Sequence, residues 1–115
     1  MQVVLKFSRD NDFYDVLLIL RFIPPFDRLT MVQLRVYAKL LTHYYDIEEL
    51  TKKQREERIF SYDLRRKIQD ELNINDSVFR NCLSALRRVG VLNKTELVDK
   101  YIIEYGDTVS VNFKQ

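Results

Sequence analysis

The stretch from Ser61 to Leu92, SYDLRRKIQDELNINDSVFRNCLSALRRVGVL, constrains the fold more than any other part of the chain. Leu64, Ile68 and Leu72 recur every fourth residue, which places them on one side of a helix with a 3.6-residue period. Ser61 stands one residue ahead of that pattern, where its hydroxyl can accept from an orphan backbone N–H. Asn73 follows Leu72, and asparagine tolerates the left-handed conformation that ends many helices. Ile74 can then drop into a core while Asn75 or Asp76 opens the next helix. In that second helix Phe79, Cys82, Leu83 and Leu86 point inward, flanked by Val78 and Val89. Ser77, Arg80, Asn81, Ser84, Arg87 and Arg88 fall on the opposite side, and Gly90 supplies the positive φ of a C-terminal stop. The segment is predicted to be two helices joined by a three-residue turn, the second with a polar, cationic outer face.

This segment resembles the winged helix-turn-helix superfamily, whose recognition helix often ends in an LxxLRRxGxL-like run, here LSALRRVGVL from Leu83 to Leu92. The run LTMVQLRVYAKL, Leu29 to Leu40, is similar to the first helix of many such domains. The resemblance implies an α+β, mainly α fold: a winged helix-turn-helix with an extra N-terminal strand and helix and a small C-terminal β-hairpin as its wing. It also implies that the second helix, residues 76–89, lies in a DNA major groove with its N-terminal turns against base edges. Ser77, Arg80, Asn81 and Ser84 would then read bases, Arg80 forking onto guanine O6/N7 and Asn81 pairing with adenine N6/N7. Arg87, Arg88 and Lys94, with Arg65 and Arg66 on the preceding helix, would sit nearer phosphates and set the register.

A chain of 115 residues is expected to form one domain, 1–115, large enough to bury a core without metal or disulfide staples. Its apolar share of 46%, with two glycines and two prolines, argues for an ordered globule. One cysteine cannot pair internally, and Cys82 on an inward helix face suits a reduced, cytoplasmic compartment. The start, MQVVLKFSRD, is too short an apolar run for a signal peptide, and Arg21 interrupts the greasiest stretch, 16–25, well short of a membrane span. The net charge is only +2, but it is unevenly spread. Residues 61–94 hold seven Lys/Arg against four acids, whereas 95–115 hold two against four. The basic excess therefore falls on the helix pair, as a phosphate-facing surface requires.

Upstream, residues 1–28 read as an extension. Val3 to Phe7 is a β-branched and aromatic run, predicted as a strand, and Asp10 to Asp12 supply turn and N-cap chemistry for a helix from about Phe13 to Phe22. That helix is apolar on most sides, so it is either central to the core or docked on a partner chain. Pro24-Pro25 ends it. Thr30 and Gln33 form a T-x-x-Q capping box, with Leu29 as a hydrophobic staple, for a tyrosine-rich helix running to about Tyr45. Residues 46–60, DIEELTKKQREERIF, form a charged connection with five acids and four cations. It reads as a solvated helix extension or a mobile loop, with a partner-binding arm as the alternative. In residues 93–115, Val98 to Tyr105 and Val109 to Phe113 are rich in β-formers around a Gly106-Asp107 turn, predicting a wing hairpin that the N-terminal strand could join.

Catalytic chemistry has little to work with. The single histidine, His43, lies among Leu41, Tyr44 and Tyr45 with no nucleophile pattern, and reads as a hydrogen-bonded or solvent-edge residue. One His and one Cys cannot assemble a tetrahedral metal site, and Gly90 and Gly106 cannot form a glycine-rich phosphate loop. The adjacent carboxylates Asp70/Glu71 and Glu56/Glu57 read as solvated surface. The expectation is a non-enzymatic protein with no cofactor, metal or small-molecule ligand, binding double-stranded DNA in transcription, replication or genome handling. By analogy, its small size fits a phage or mobile-element factor. The alternative is a protein–protein adaptor or structural subunit of a larger assembly such as a phage particle. It would form a homodimer or larger assembly through the 13–23 and 37–45 helices, for which seven Tyr and seven Phe provide anchors.

Overall fold

The computed structural model describes residues 2–6, 12–102 and 108–112. In chain order the elements are β1 (Gln2–Lys6), α1 (Asp12–Leu20), α2 (Met31–Tyr45), α3 (Lys52–Ile59), α4 (Tyr62–Leu72), α5 (Asp76–Arg88), β2 (Leu92–Asn93), β3 (Glu96–Leu97) and β4 (Thr108–Asn112). Single 3₁₀ turns lie at Phe26–Arg28 and Asp99–Tyr101. The architecture is α+β and mainly helical, with two small antiparallel pairs, β1–β4 and β2–β3.

Helix α2 is the element the others pack on, touching α1, α3, α4 and α5. It opens on the expected capping box: Gln33 N donates to Thr30 Oγ1 and Thr30 N donates to Gln33 Oε1. Leu34, Val36, Tyr37, Ala38, Leu40, Leu41, Tyr44 and Tyr45 are all buried along it. Helix α1 contributes Val16, Ile19 and Leu20 to the same core and leaves Leu18 exposed, so most of its apolar character is spent inside the fold. The tyrosines of α2 are likewise core residues: Phe26 packs on the Tyr37 ring at 4.8 Å, and the Tyr44 and Tyr45 rings meet edge to face.

The helix pair forms as its punctuation dictates. Ser61 accepts from Leu64 N at the start of α4, Asn73 adopts φ 54° at its end, and Asn75 rather than Asp76 caps α5 by accepting from Val78 N at 2.8 Å. Phe79, Cys82, Leu83 and Leu86 are buried. Gly90 has φ +90°, the conformation a side chain would resist.

Two expectations are corrected. The charged connection 46–60 is neither a loop nor an extension of α2: most of it is α3, a separate helix with its own capping box, Thr51 and Gln54, docked against α2. The Arg55 guanidinium donates to Tyr44 O from both Nε and Nη2 and lies 3.6 Å from the centroid of the Tyr44 ring. A cation thus meets the carbonyl end of α2, where the helix dipole favours it. Glu56, read as solvated, is buried in this helix at 8% exposure.

The second correction concerns the hairpin. The strand expected at 98–105 is a 3₁₀ turn at Asp99–Tyr101, and residues 103–107, with the Gly106-Asp107 turn, lie outside the described residues, as do 113–115. Tertiary contacts override the β-forming composition here. Tyr101 stands edge-on to Phe26, ring centroids 5.5 Å apart, and its carbonyl accepts from the Tyr37 hydroxyl at 2.8 Å. The hairpin that follows α5 is instead β2–β3, pairing Leu92 with Leu97 and Asn93 with Glu96 around Lys94, at φ 57°. Strand β4 pairs with β1, from Gln2↔Asn112 to Lys6↔Thr108, as a separate ribbon.

The β2–β3 hairpin is held to α3 by side chains that complete its edge. Leu97 N donates to Glu56 Oε2 at 2.6 Å, and Lys52 Nζ donates to Leu97 O at 3.0 Å. Glu56 and Lys52 together satisfy the backbone groups that another strand would have paired. Burial alone would lower the Lys52 pKa, but hydrogen bonds to Glu56 and Asp99 outweigh it and hold the ammonium above its ordinary value.

Candidate nucleic-acid interface

Ser77, Arg80, Asn81, Ser84, Arg87 and Arg88 are all exposed on α5, one stripe at helical spacing. With a rise of 1.5 Å per residue the stripe extends about 16 Å. Its chemistry changes along its length. Arg80, Asn81 and the two serines provide donors and acceptors over the N-terminal turns, while Arg87 and Arg88 gather at the C-terminus.

The cations of this face differ in their freedom. Arg80 is 66% exposed, and its Nε forms an ion pair with Asp76 Oδ2 at 3.2 Å, one turn back. Arg66 is exposed beside it, and Tyr62, Arg65, Arg66, Asp76 and Arg80 line an open cleft of about 430 Å³. Arg65 is only half-exposed: it lies over the Phe79 ring at 5.3 Å and pairs with Asp76, and its Nε is buried without a partner among the described residues. Arg65 therefore acts first as packing between α4 and α5 and only its outer edge faces the cleft. At the far end, Arg87 Nε donates to Lys94 O at 3.0 Å, clipping the hairpin tip to α5, while Arg88 and the Lys94 side chain remain exposed.

Asp76 ties this surface together, meeting Gln69, Arg65 and Arg80. Burial would raise its pKa, but the Gln69 amide, Arg65 and Arg80 together hold it below the ordinary aspartate value. Half of that arrangement is legible as an acid four residues before an arginine on one helix. The other half, Gln69 and Arg65 reaching across from α4, depends on how two helices meet.

Elsewhere, Cys82 is buried, which pushes its thiol pKa up and suits an inert core residue. His43 Nε2 lies 2.8 Å from Glu71 Oε1, and Lys39 Nζ reaches Glu71 Oε2 at 3.4 Å, so Glu71 is a bridging partner rather than simply solvated surface. The rings of Tyr37, Tyr44 and Tyr45 are occupied inside the chain, and the exposed large apolar groups among the described residues are Leu18 in α1, Phe22 just after it, Met31 at the start of α2 and Tyr62 at the start of α4. No helix among the described residues is long and apolar enough to cross a membrane. Comparison of the chain with protein-family models, curated proteins and solved structures returns no match.

Proposed function

We propose that this chain is a non-enzymatic, winged-helix-type DNA-binding protein that lays α5 in the major groove of duplex DNA. In this reading α2, α4 and α5 form the helical core and the β2–β3 hairpin serves as a short wing. The observation that carries the reading is the unbroken exposed stripe from Ser77 to Arg88, flanked by Arg66 and Lys94. Arg80, Asn81, Ser77 and Ser84 face base edges; Arg66, Arg87, Arg88 and Lys94 meet phosphates, with Arg65 bracing them from behind. Four cations at phosphates give the salt-dependent affinity expected of counterion release.

The test is fluorescence anisotropy of a labelled random duplex between low and physiological salt. Exchanging Arg87 and Arg88 for Ala together is expected to weaken binding evenly across sequences and to flatten the log–log salt slope by about two, one per phosphate contact. Arg80→Ala is expected to relax sequence preference at one position with a smaller effect on random duplex. Affinity that ignores both salt and these substitutions overturns the proposal.

A further inference from the structure

We propose, building on the DNA-binding reading above, that Asp76 is a specificity-determining positioning residue: it holds the Arg80 guanidinium so that its two terminal amino groups meet guanine. Three observations converge on it. The Asp76 carboxylate uses its two oxygens for different purposes. Oδ1 receives the Gln69 amide at 3.1 Å and pairs with the Arg65 guanidinium, whereas Oδ2 lies 3.2 Å from Arg80 Nε. The groups that hold Oδ1 are themselves fixed. Gln69 is buried within α4, and Arg65 is wedged over the Phe79 ring. Asp76 is therefore a strut anchored on α4 that constrains a side chain on α5.

The geometry at Arg80 then decides what is left to bind. Nε is the guanidinium atom that faces Asp76, as an ion pair, and the two Nη groups have no partner among the described residues. Their end-on fork matches the O6 and N7 acceptors of guanine, a pattern no other base presents in the major groove. A free arginine in a rotamer-rich state would lose that freedom on binding and would serve a phosphate equally well. The strut removes part of the entropy loss in advance and draws Arg80 away from phosphates. It does so at a cost in raw affinity, because a carboxylate beside the cleft of Arg65, Arg66 and Arg80 repels the DNA backbone.

These two consequences have opposite signs, which separates positioning from mere structural support. Asp76→Asn is nearly isosteric and keeps an oxygen for Gln69. It is expected to tighten binding to random duplex and steepen the salt slope by about one, as a released arginine takes a phosphate. In selection from randomised duplexes, the same variant is expected to lose the guanine that the wild type enriches at one position, a preference of about 5- to 150-fold for a bidentate contact. Gln69→Met loosens the strut without changing charge, so it is expected to lower the guanine preference with the salt slope unchanged. Thermal melts accompany both variants, so that loss of folding is recognised. A guanine preference unchanged in a folded Asp76→Asn or Gln69→Met protein overturns the inference while leaving DNA binding intact. A wild-type chain that binds no duplex overturns both, and one that binds without any guanine preference overturns this inference alone.

Discussion

Glu56 links α3 to the hairpin, and removing it tests how the hairpin is held. Its buried carboxylate accepts from Leu97 N at 2.6 Å and from Lys52 Nζ at 3.2 Å through the same oxygen. Glu56→Ala deletes the acceptor and leaves the Leu97 amide, itself in a buried residue, without a partner. An orphaned buried donor costs about 1–3 kcal/mol, and the lost bond was charge-assisted, toward the upper end of that range. The Lys52 pair adds little, because Lys52 is 41% exposed and solvent screens it. The expected total is about 2–3 kcal/mol, roughly 10 °C in melting temperature for a chain of this size. Glu56→Gln is the control. Its amide oxygen can still accept from Leu97 N, and burying a neutral group relieves desolvation, so its cost is expected near 1 kcal/mol. Urea unfolding followed by circular dichroism measures both, and hydrogen exchange at the Leu97 amide reports the local bond. A Glu56→Ala variant within about 0.5 kcal/mol of wild type, or a Gln variant as damaged as the Ala variant, would refute the reasoning.

Two further outcomes follow from buried hydrogen bonds and from charge. Burial, reinforced by neighbouring Tyr101, pushes the Tyr37 hydroxyl pKa far up, and that hydroxyl donates to Tyr101 O at 2.8 Å; Tyr37→Phe is expected to cost about 1–2 kcal/mol in urea unfolding and to speed amide exchange at Tyr101 and Ile102. For Glu71, burial works to raise its pKa, but His43 and Lys39 outweigh it and hold the carboxyl below its ordinary value. A depressed acid stabilises the fold above the unfolded pKa, about 4.3, and that contribution is lost as pH falls through the folded value. Glu71→Gln is therefore expected to melt below wild type at neutral pH, with the two curves converging as pH falls through the folded value.

What the sequence made legible follows from how local each signal is. Asn73, Asn75 and Gly90 act on their own backbone, and the four-residue spacing of Leu64, Ile68 and Leu72 needs no partner to be read, so α4 and α5 are recoverable from the chain alone. The exposed identity of Arg80 and its neighbours follows from the same spacing. Helix α3 hid for a physical reason: Thr51-Lys52-Lys53-Gln54 repeats the capping pattern of Thr30 to Gln33, but the eight-residue helix buries only Glu56 and Ile59. There is too little apolar periodicity to stand out against the charges, and a buried glutamate carries no hydrophobic signal at all. The hairpin was misplaced because two-residue strands lie below the length at which alternation can be seen, while Val98 to Tyr105 offered a longer β-forming run that the Phe26 and Tyr37 contacts divert. Lys94 at φ 57° gave no glycine or asparagine to mark the turn. Asp76 was visible as one half of an i, i+4 pair, but the reach of Gln69 and Arg65 is set by the packing of α4 on α5.

The same packing bears on how a duplex could approach. Beside the hairpin, Lys53, Glu56, Glu57, Phe60, Thr95 and Glu96 line a cleft of about 320 Å³, and the Glu56 carboxylate there is already paired with Lys52. A second cleft, lined by Tyr62, Arg65, Arg66, Asp76 and Arg80, lies where α4 meets the start of α5. On the DNA-binding proposal, phosphates are drawn to the cleft of Arg66 and Arg80. Arg87 is already committed to the Lys94 carbonyl, which fixes the tip but takes one donor from the phosphate side. On the DNA-binding proposal, the groups left to meet phosphates are Arg66, Arg88, Lys94 and the outer edge of Arg87. If the proposal holds, an affinity built on so few cations is modest without base contacts, and recognition then rests on Arg80 and Asn81 at the opening turns of α5.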